Sequence, residues 1–111
     1  MTKHANDRLQ GTLDLLVLKI LSRGEVLHGY AIAQRIHQVT EDSLRIEEGS
    51  LYPALQRMTA SKWLRPHWGT TETGRRARLY TITAVGREQL EEEEERWVLL
   101  TKAVDKALRF A

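Results

Sequence analysis

The chain has 111 residues, which suits one small domain, and its hydrophobic share of 41% is enough for a core. It has no cysteine, which excludes a disulfide framework and any thiolate zinc site. The N-terminus has no apolar run, and no stretch approaches the ~20 apolar residues that cross a bilayer, so we expect a soluble cytoplasmic protein without membrane partners.

Charge is distributed unevenly along the chain, although the net charge is only +2. Residues 1–44 carry five basic and five acidic side chains. Residues 45–83 carry seven basic and three acidic side chains, a balance of +4, and residues 84–111 carry five basic and seven acidic, a balance of −2. The middle segment is therefore where a polyanion such as DNA would bind.

The first predicted element is a helix over residues 12–22, with Thr12 as its N-cap and Gly24 after its end. Its side chains are apolar nearly all round, so more than one neighbouring element must cover it. A shorter amphipathic helix is predicted over residues 28–38. Its inner face consists of Ile32, Ala33 and Ile36.

A third helix is predicted to begin at Ser50, whose hydroxyl can cap it. Pro53 then falls in the first turn, where its missing N–H breaks no hydrogen bond. The i, i+4, i+7 spacing directs Leu51, Leu55 and Met58 inward. The side chains left off this inner face are those of Tyr52, Gln56 and Arg57.

Two strands are predicted after this helix, over residues 64–68 and 76–82, joined by the mobile turn GTTETG. Arg75 and Arg76 follow the turn and are suited to binding phosphates. A helix followed by a two-stranded ribbon with a basic tip predicts a winged helix-turn-helix. Such a module binds duplex DNA through base contacts from the helix and phosphate contacts from the wing.

Three further side chains near the wing have more local expected roles. Trp63 and Trp68 are expected to cover the core beneath the sheet. Arg78 lies within the second strand and is expected to pair locally.

A single long helix is predicted from Thr83, its N-cap, to the C-terminus, with a stripe of apolar residues spaced by threes and fours. A helix of ~25 residues spans ~38 Å, too long to lie wholly against so small a domain. A symmetric dimer, in which each last helix packs on the partner's first helix, would cover the apolar surfaces of both helices. The predicted dimerisation residues are Leu13, Leu16, Leu90, Trp97, Leu100, Val104 and Leu108.

No enzyme, metal site or cofactor is predicted. The four histidines are scattered, and the one close pairing, His37 with Glu41 one turn later, supplies too few ligands for a closed metal site. The sequence contains neither a glycine-rich phosphate loop nor a nucleophile motif.

The runs GTLDLLVLKIL, HGYAIAQRI, EEGSLYPALQRM, RRARLYTIT and VGREQLEEEEERW together resemble the PadR family of bacterial transcriptional regulators. The resemblance extends from about Leu9 to Leu108 and favours the small subfamily with a single C-terminal helix. It implies a dimeric repressor that binds inverted-repeat operators. It further implies that the first turns of helices two and three enter the major groove and that the wing arginines are Arg75 and Arg76.

The expected fold is therefore mainly α, an α+β winged helix-turn-helix with a three-helix core, a two-stranded wing and a long C-terminal dimerisation helix. Residues 9–83 would form the DNA-binding domain and residues 84–111 the dimerisation helix. Tyr30 and Tyr52 could instead pack between helices, and Gln56 could be solvated rather than paired with adenine. The candidate DNA-binding residues are Tyr30, Ser50, Leu51, Tyr52, Pro53, Gln56, Arg57, Arg75 and Arg76.

Trp97 has two interpretations. A large ring on an apolar stripe is typical of a dimer core. The resemblance instead implies a platform on which planar aromatic effectors stack, which would make the protein a ligand-responsive repressor. A further alternative is a winged helix that serves only as a protein-interaction module.

Overall fold

The computed structural model describes the backbone of residues 2–110 and the side-chain environments of residues 11–110. The fold is a mainly helical winged helix, as predicted. Strands β2 and β3 form the wing, and the short β1 extends it to a three-stranded antiparallel sheet in the order β1-β3-β2. The elements are α1 (Thr2–Leu21), β1 (Leu27–His28), α2 (Gly29–Val39), α3 (Glu48–Ala60), β2 (Leu64–Thr70), β3 (Arg76–Ile82) and α4 (Ala84–Arg109).

Helix α1 is longer than predicted, because it begins at Thr2 and runs through Gly11. A glycine in a helix interior costs only about 1 kcal/mol relative to alanine, too little to end a helix that is stabilised elsewhere. The prediction of Thr12 as N-cap is therefore wrong. The predicted C-terminal boundary is close to the observed one, since Gly24 has a φ of +90° and its N–H donates to the Leu21 carbonyl at 3.1 Å.

The core lies among α1, α2 and α3. The predicted inner faces of α2 and α3 are confirmed, because each of their apolar side chains is buried. Tyr80 of β3 and Leu64 of β2 close the core from the sheet side. The largest fully buried side chains are Leu18, Leu21, Ile32, Ile36, Leu51, Leu55, Met58 and Val17.

Helix α3 begins two residues earlier than predicted. Its N-cap is Glu47, which makes no side-chain capping bond, and Ser50 lies inside the first turn, so Ser50 is not the cap. The Glu47 carbonyl instead accepts the backbone N–H groups of Ser50 and Leu51, both at 3.0 Å. Pro53 consequently lies in the second turn, where the helix lacks the N–H that would donate to the Gly49 carbonyl.

Helix α4 begins as predicted at the N-cap Thr83. The Thr83 hydroxyl accepts the Gly86 N–H at 2.9 Å and donates to the Lys62 carbonyl at 2.6 Å. Gly86 is buried against the end of α3, and a Cβ there would lie 2.2 Å from the Trp63 carbonyl oxygen. Glycine is therefore required where the wing continues into the last helix.

The first turns of α4 pack against α1 of the same chain. Leu13 is 2% exposed and Leu90 is 6% exposed, and Lys19 pairs with Glu94 at 3.2 Å between the two helices. The prediction that Leu13 and Leu90 contact a partner is therefore wrong, because their surface is already buried within one chain. Leu16 is partly buried against the same core.

The second half of α4 extends beyond the core. Trp97, Leu100, Val104 and Leu108 are 44%, 55%, 47% and 75% exposed. Within the described chain, no helix combines the length and apolar content needed to cross a bilayer.

Candidate DNA interface

A groove of about 550 Å³ separates the first turns of α2 and α3 from the tip of the wing. Its walls are polar and aromatic, unlike the core on the other side of the same helices. Four of the predicted DNA-binding residues line it together, namely Tyr30, Tyr52, Arg75 and Arg76.

Tyr30 projects from the first turn of α2 and is 56% exposed. Its ring stacks on His28 with centroids 6.4 Å apart, and its hydroxyl accepts a hydrogen bond from Gln34 Nε2 at 3.4 Å. His28 itself caps α2, because its Nδ1 accepts the Ala31 N–H at 3.3 Å. Tyr30 is therefore an open groove residue rather than a contact buried between helices. Gln34 lines the groove one turn later, a position that its i+4 spacing from Tyr30 could have indicated.

Tyr52 lies on α3 at the floor of the groove and is 41% exposed. Its ring packs against the backbone of Gly29, where a Cβ would lie 2.7 Å from the Tyr52 Cε1 atom. Tyr52 thus both contacts the neighbouring helix and presents surface to the groove. The absence of a side chain at Gly29 is what allows this ring position.

The other predicted residues of α3 divide into two groups. Ser50, Pro53 and Gln56 are exposed. Leu51 is 0% exposed in the core, so the prediction that its side chain contacts DNA is wrong. A fully buried leucine has no surface to offer a ligand.

Arg57 was predicted to contact DNA but is directed towards α1. Its guanidinium makes two hydrogen bonds to Asp14, at 2.7 and 2.8 Å, and Asp14 is only 6% exposed. The hydrogen bond to Asp14 raises the pKa of Arg57 above its ordinary value. Arg57 therefore fixes α3 on α1, and its contact with DNA stays a prediction.

The wing turn is closed by backbone hydrogen bonds. The Thr71 N–H donates to the Arg75 carbonyl at 2.7 Å, and the Gly74 N–H donates to the Thr71 carbonyl at 2.9 Å. Gly74 has a φ of +83°, which glycine adopts without strain. Arg75 and Arg76 follow as exposed side chains, and among the described side chains neither makes an ion pair with a carboxylate.

Trp68 does not cover the core, contrary to prediction, because it is 61% exposed. Its ring lies beneath two arginines, with the Arg76 Cζ 5.1 Å and the Arg78 Cζ 5.6 Å from its centroid. Arg78 thus has the local partner that was predicted for it. Trp63 does pack against the core as predicted, since it is partly buried there.

A second cavity, of about 450 Å³, lies between α1 and α4. Trp97 forms one wall, and Thr12 and Leu15 of α1 form the opposite wall. Glu93 and Arg96, which pair with each other at 3.6 Å, lie at its polar side.

The three histidines among residues 11–110, His28, His37 and His67, have structural partners. His37 Nε2 accepts the Ile46 N–H at 2.8 Å and so orders the segment that leads into α3. His67 lies 3.4 Å from the Thr81 hydroxyl across the wing. Among residues 11–110, no group of three or more histidine or acidic side chains is arranged to hold a metal ion.

The PadR-like family of transcriptional regulators matches residues 17–92 of this chain. A transcriptional regulator from Clostridium thermocellum is 29% identical and superposes with a TM-score of 0.80, over 90% of this chain and 96% of that one. A PadR-like transcriptional regulator from Bacillus cereus is 30% identical with a TM-score of 0.77, over 95% of this chain and 99% of that one.

A Lysinibacillus sphaericus protein is also similar, with 28% identity over 100 residues, which is 90% of this chain and 91% of that protein. The family match covers more than half of the chain, and the solved relatives share the whole fold from α1 to α4. This chain therefore belongs to the PadR-like family of transcriptional regulators.

Proposed function

We propose that the protein is a dimeric repressor that binds an inverted-repeat operator through the groove between α2, α3 and the wing. The main support for this proposal is that one groove is lined together by Tyr30, Tyr52, Arg75 and Arg76. Aromatic and amide side chains on helix N-terminal turns suit base edges in the major groove. Guanidiniums beside the wing turn that pair with no carboxylate among the described side chains suit phosphates.

The dimer is proposed from the second half of α4. Four large apolar side chains of one stripe, Trp97, Leu100, Val104 and Leu108, remain 44% to 75% exposed on the single chain. A second copy related by a two-fold axis would cover this stripe and give two DNA-reading faces with a fixed separation. Residues 84–111 would then act as the dimerisation unit of a cytoplasmic regulator.

The direct test is DNA binding by a variant that lacks the two wing-tip charges, Arg75→Ala with Arg76→Ala. Binding to a labelled duplex from the protein's own promoter region is followed by fluorescence anisotropy between about 50 and 300 mM salt, because affinity that depends on phosphate contacts falls steeply as salt rises. We expect weaker binding to all sequences and a log K against log salt slope that is shallower by roughly 0.9 for each lost contact.

The matched control is Lys102→Ala with Lys106→Ala, which removes the same charge from α4, outside the groove. This variant should keep the wild-type slope. An equal loss in both variants would mean that net charge, rather than the wing, supplies the contacts. Wild-type protein without salt-dependent binding would favour the alternative of a protein-interaction module.

A second function is proposed because of the cavity at Trp97: a planar aromatic cation binds there and loosens the hold on DNA. The indole supplies a face for stacking, and the Glu93 carboxylate, which pairs with Arg96 at 3.6 Å, can exchange that partner for the positive charge of the ligand. Such a ligand would lie between α1 and α4, and its binding would change the spacing of the two DNA-reading faces.

The test is quenching of tryptophan fluorescence by a planar bis-benzimidazole dye in wild-type protein and in Trp97→Phe. Saturable quenching that Trp97→Phe abolishes, together with dye-induced release of the duplex, is expected. Quenching that persists in Trp97→Phe would place the dye elsewhere, and no quenching in the wild type would remove the effector proposal.

A further inference from the structure

We propose that Trp68 is a positioning residue of the DNA interface, which holds Arg76 and Arg78 as a phosphate clamp on one face of the wing. The clamp consists of these three residues. The inference rests on the proposed DNA-binding function and extends its phosphate contacts from Arg76 at the wing tip along the hairpin to Trp68 and Arg78. It also gives a role in DNA binding to Arg78.

The hairpin register brings the three side chains together. Trp68 pairs with Arg78 and Thr70 pairs with Arg76, so the indole lies opposite one arginine and diagonal to the other. Residues 76 and 78 are two positions apart on one strand, which puts them on the same face with a separation of ~6.8 Å. Successive phosphates of one DNA strand are spaced similarly, so the two guanidiniums can each reach one.

This face of the hairpin continues the face that closes the core. Tyr80 lies two positions after Arg78, on the same face of the strand, and is 7% exposed. Burial raises the pKa of Tyr80, and the nearby charge of Arg78 partly opposes this effect. The inner end of the face is therefore anchored in the core. The outer end, with Trp68 and its two arginines, extends beyond it on the same side of the sheet.

The charges of the clamp are available. Among the described side chains, neither Arg76 nor Arg78 makes an ion pair with a carboxylate, and the partner of both is the neutral ring of Trp68. A cation over an indole keeps its full charge while losing much of its freedom to rotate. This arrangement orders two arginines for an anion without neutralising them.

The exposure of Trp68 also supports this role. A tryptophan that is 61% exposed contributes little to the core, and the cluster of buried residues does not include it. Its interactions are with the arginines of the neighbouring strand. The double-stranded DNA backbone is the partner that two adjacent, unneutralised guanidiniums on a β-ribbon fit.

The experiment compares Trp68→Ala, Trp68→Phe and the double variant Arg76→Ala/Arg78→Ala, on the full chain and one duplex. Two cation–π contacts at an exposed site correspond to roughly 5- to 30-fold in affinity, so Trp68→Ala should weaken binding within that range. Trp68→Phe should restore part of it, since phenylalanine is a weaker cation–π partner than tryptophan. Thermal unfolding should change little in either variant.

The decisive measurement is the DNA affinity of a triple variant that combines Trp68→Ala with Arg76→Ala and Arg78→Ala. A residue that acts only by positioning the arginines has nothing left to position, so the triple variant should bind as the arginine double variant does. A further loss in the triple variant would show that Trp68 contributes independently, and would overturn the proposal. Unchanged binding in Trp68→Ala would overturn it as well.

Two controls separate the clamp from general effects. Arg65→Ala removes a guanidinium from the opposite face of the same hairpin and should leave the salt slope unchanged. Phe110→Ala removes an exposed ring outside the wing and should leave affinity unchanged. If the wild-type protein itself binds no duplex, the proposed function fails, whereas normal wild-type binding with a silent Trp68→Ala rejects the clamp alone.

Discussion

At the scale of single residues, Tyr52 is positioned by the absence of a side chain on the neighbouring helix. Its Cε1 atom approaches the place where a Cβ of Gly29 would lie, at 2.7 Å. A methyl group there would displace the ring, which is the far end of a flexible side chain and can move at small cost. The groove would then change shape without loss of the fold.

We therefore expect Tyr52→Ala to reduce the ratio of operator to random-DNA affinity by about tenfold, the scale of one lost base contact. Gly29→Ala should reduce the same ratio by a smaller factor, because the ring is shifted but still present. Competition binding with operator and scrambled duplexes measures both. A proportional loss on both duplexes would instead assign Tyr52 to phosphate binding.

The pair between Asp14 and Arg57 anchors α3 to α1. We expect Asp14→Asn to lower the free energy of unfolding by about 1–3 kcal/mol, below the 3–5 kcal/mol typical of a broken buried pair. The expected loss is smaller than the typical one because the Arg57 side chain is 36% exposed, so that its charge can reach water when Asp14 is neutralised. Urea unfolding provides the measurement.

Glu94→Gln is the matched control, because its pair with Lys19 has side-chain exposures of 48% and 59%. An exposed pair contributes at most about 1 kcal/mol. Equal losses in Asp14→Asn and Glu94→Gln would contradict the anchoring role.

Residue positions were predictable from the sequence where periodicity decides them. The inward face of α3 follows from helical spacing, and Arg75 and Arg76 are exposed because they follow a glycine-bounded turn. Arg57 was not predictable, since its partner lies 43 residues away in α1. The prediction for Trp68 was wrong because its hydrophobicity suggested burial, whereas its position near the outer end of β2 places it beyond the edge of the core, although on the same face of the sheet as Tyr80.

At the scale of elements, glycines in helices have opposite roles in α1 and α4. A Cβ at Gly11 would meet nothing within 4 Å, whereas one at Gly86 would lie 2.2 Å from the Trp63 carbonyl oxygen. Backbone atoms at this junction cannot move without shifting the wing relative to α4. Helix propensity alone would favour alanine at both positions.

We accordingly expect Gly11→Ala to raise the free energy of unfolding by up to about 1 kcal/mol. Gly86→Ala should lower it by about 1–3 kcal/mol, because the steric cost of overpacking exceeds the gain in propensity. Urea unfolding of the two variants is the comparison. A stabilised Gly86→Ala would contradict the close approach at the junction.

Element types were predictable from sequence, but several boundaries were not. The cap at Thr83 was predicted because threonine precedes a long unbroken pattern. The two-residue strand β1 was not predicted, since it exists only through pairing with Tyr80 and Leu79 of β3. The start of α3 was misplaced because Ser50 is a strong capping type, while the observed first turn uses the Glu47 carbonyl.

At the scale of the whole molecule, the proposed dimer depends on the exposed stripe in the second half of α4. We expect Leu100→Glu with Val104→Glu to convert a dimer into a monomer, because two carboxylates would be buried without partners in each helix. Analytical ultracentrifugation reports the mass directly. Operator affinity should fall at the same time, since one protomer offers only one half of the contacts.

Lys102→Glu is the control, because it changes the charge of the same helix by two units on the opposite side from the stripe. Its mass should remain that of the wild type. If both variants stayed dimeric, the interface would lie elsewhere, for example along α1.

A partner was predicted because apolar side chains on the first helix and along the last helix lacked a covering element. In the structure only those on the second half of α4 remain exposed. The apolar surface of α1 that was predicted to face a partner is largely covered by α4 of the same chain, which sequence periodicity could not show. The apolar surface at Leu100, Val104 and Leu108 remains, since the folded chain leaves those side chains exposed.

Selection of bound sites from a random duplex pool tests most directly the claim that two copies of this groove read one operator. We expect enrichment of an inverted repeat whose half-site centres are one helical turn, ~10–10.5 bp, or a multiple of it apart. The Tyr52→Ala variant should lose the half-site consensus while it retains salt-dependent binding. If the wild-type protein selected no consensus, or a single unrepeated site, it would not bind an operator as a two-fold dimer.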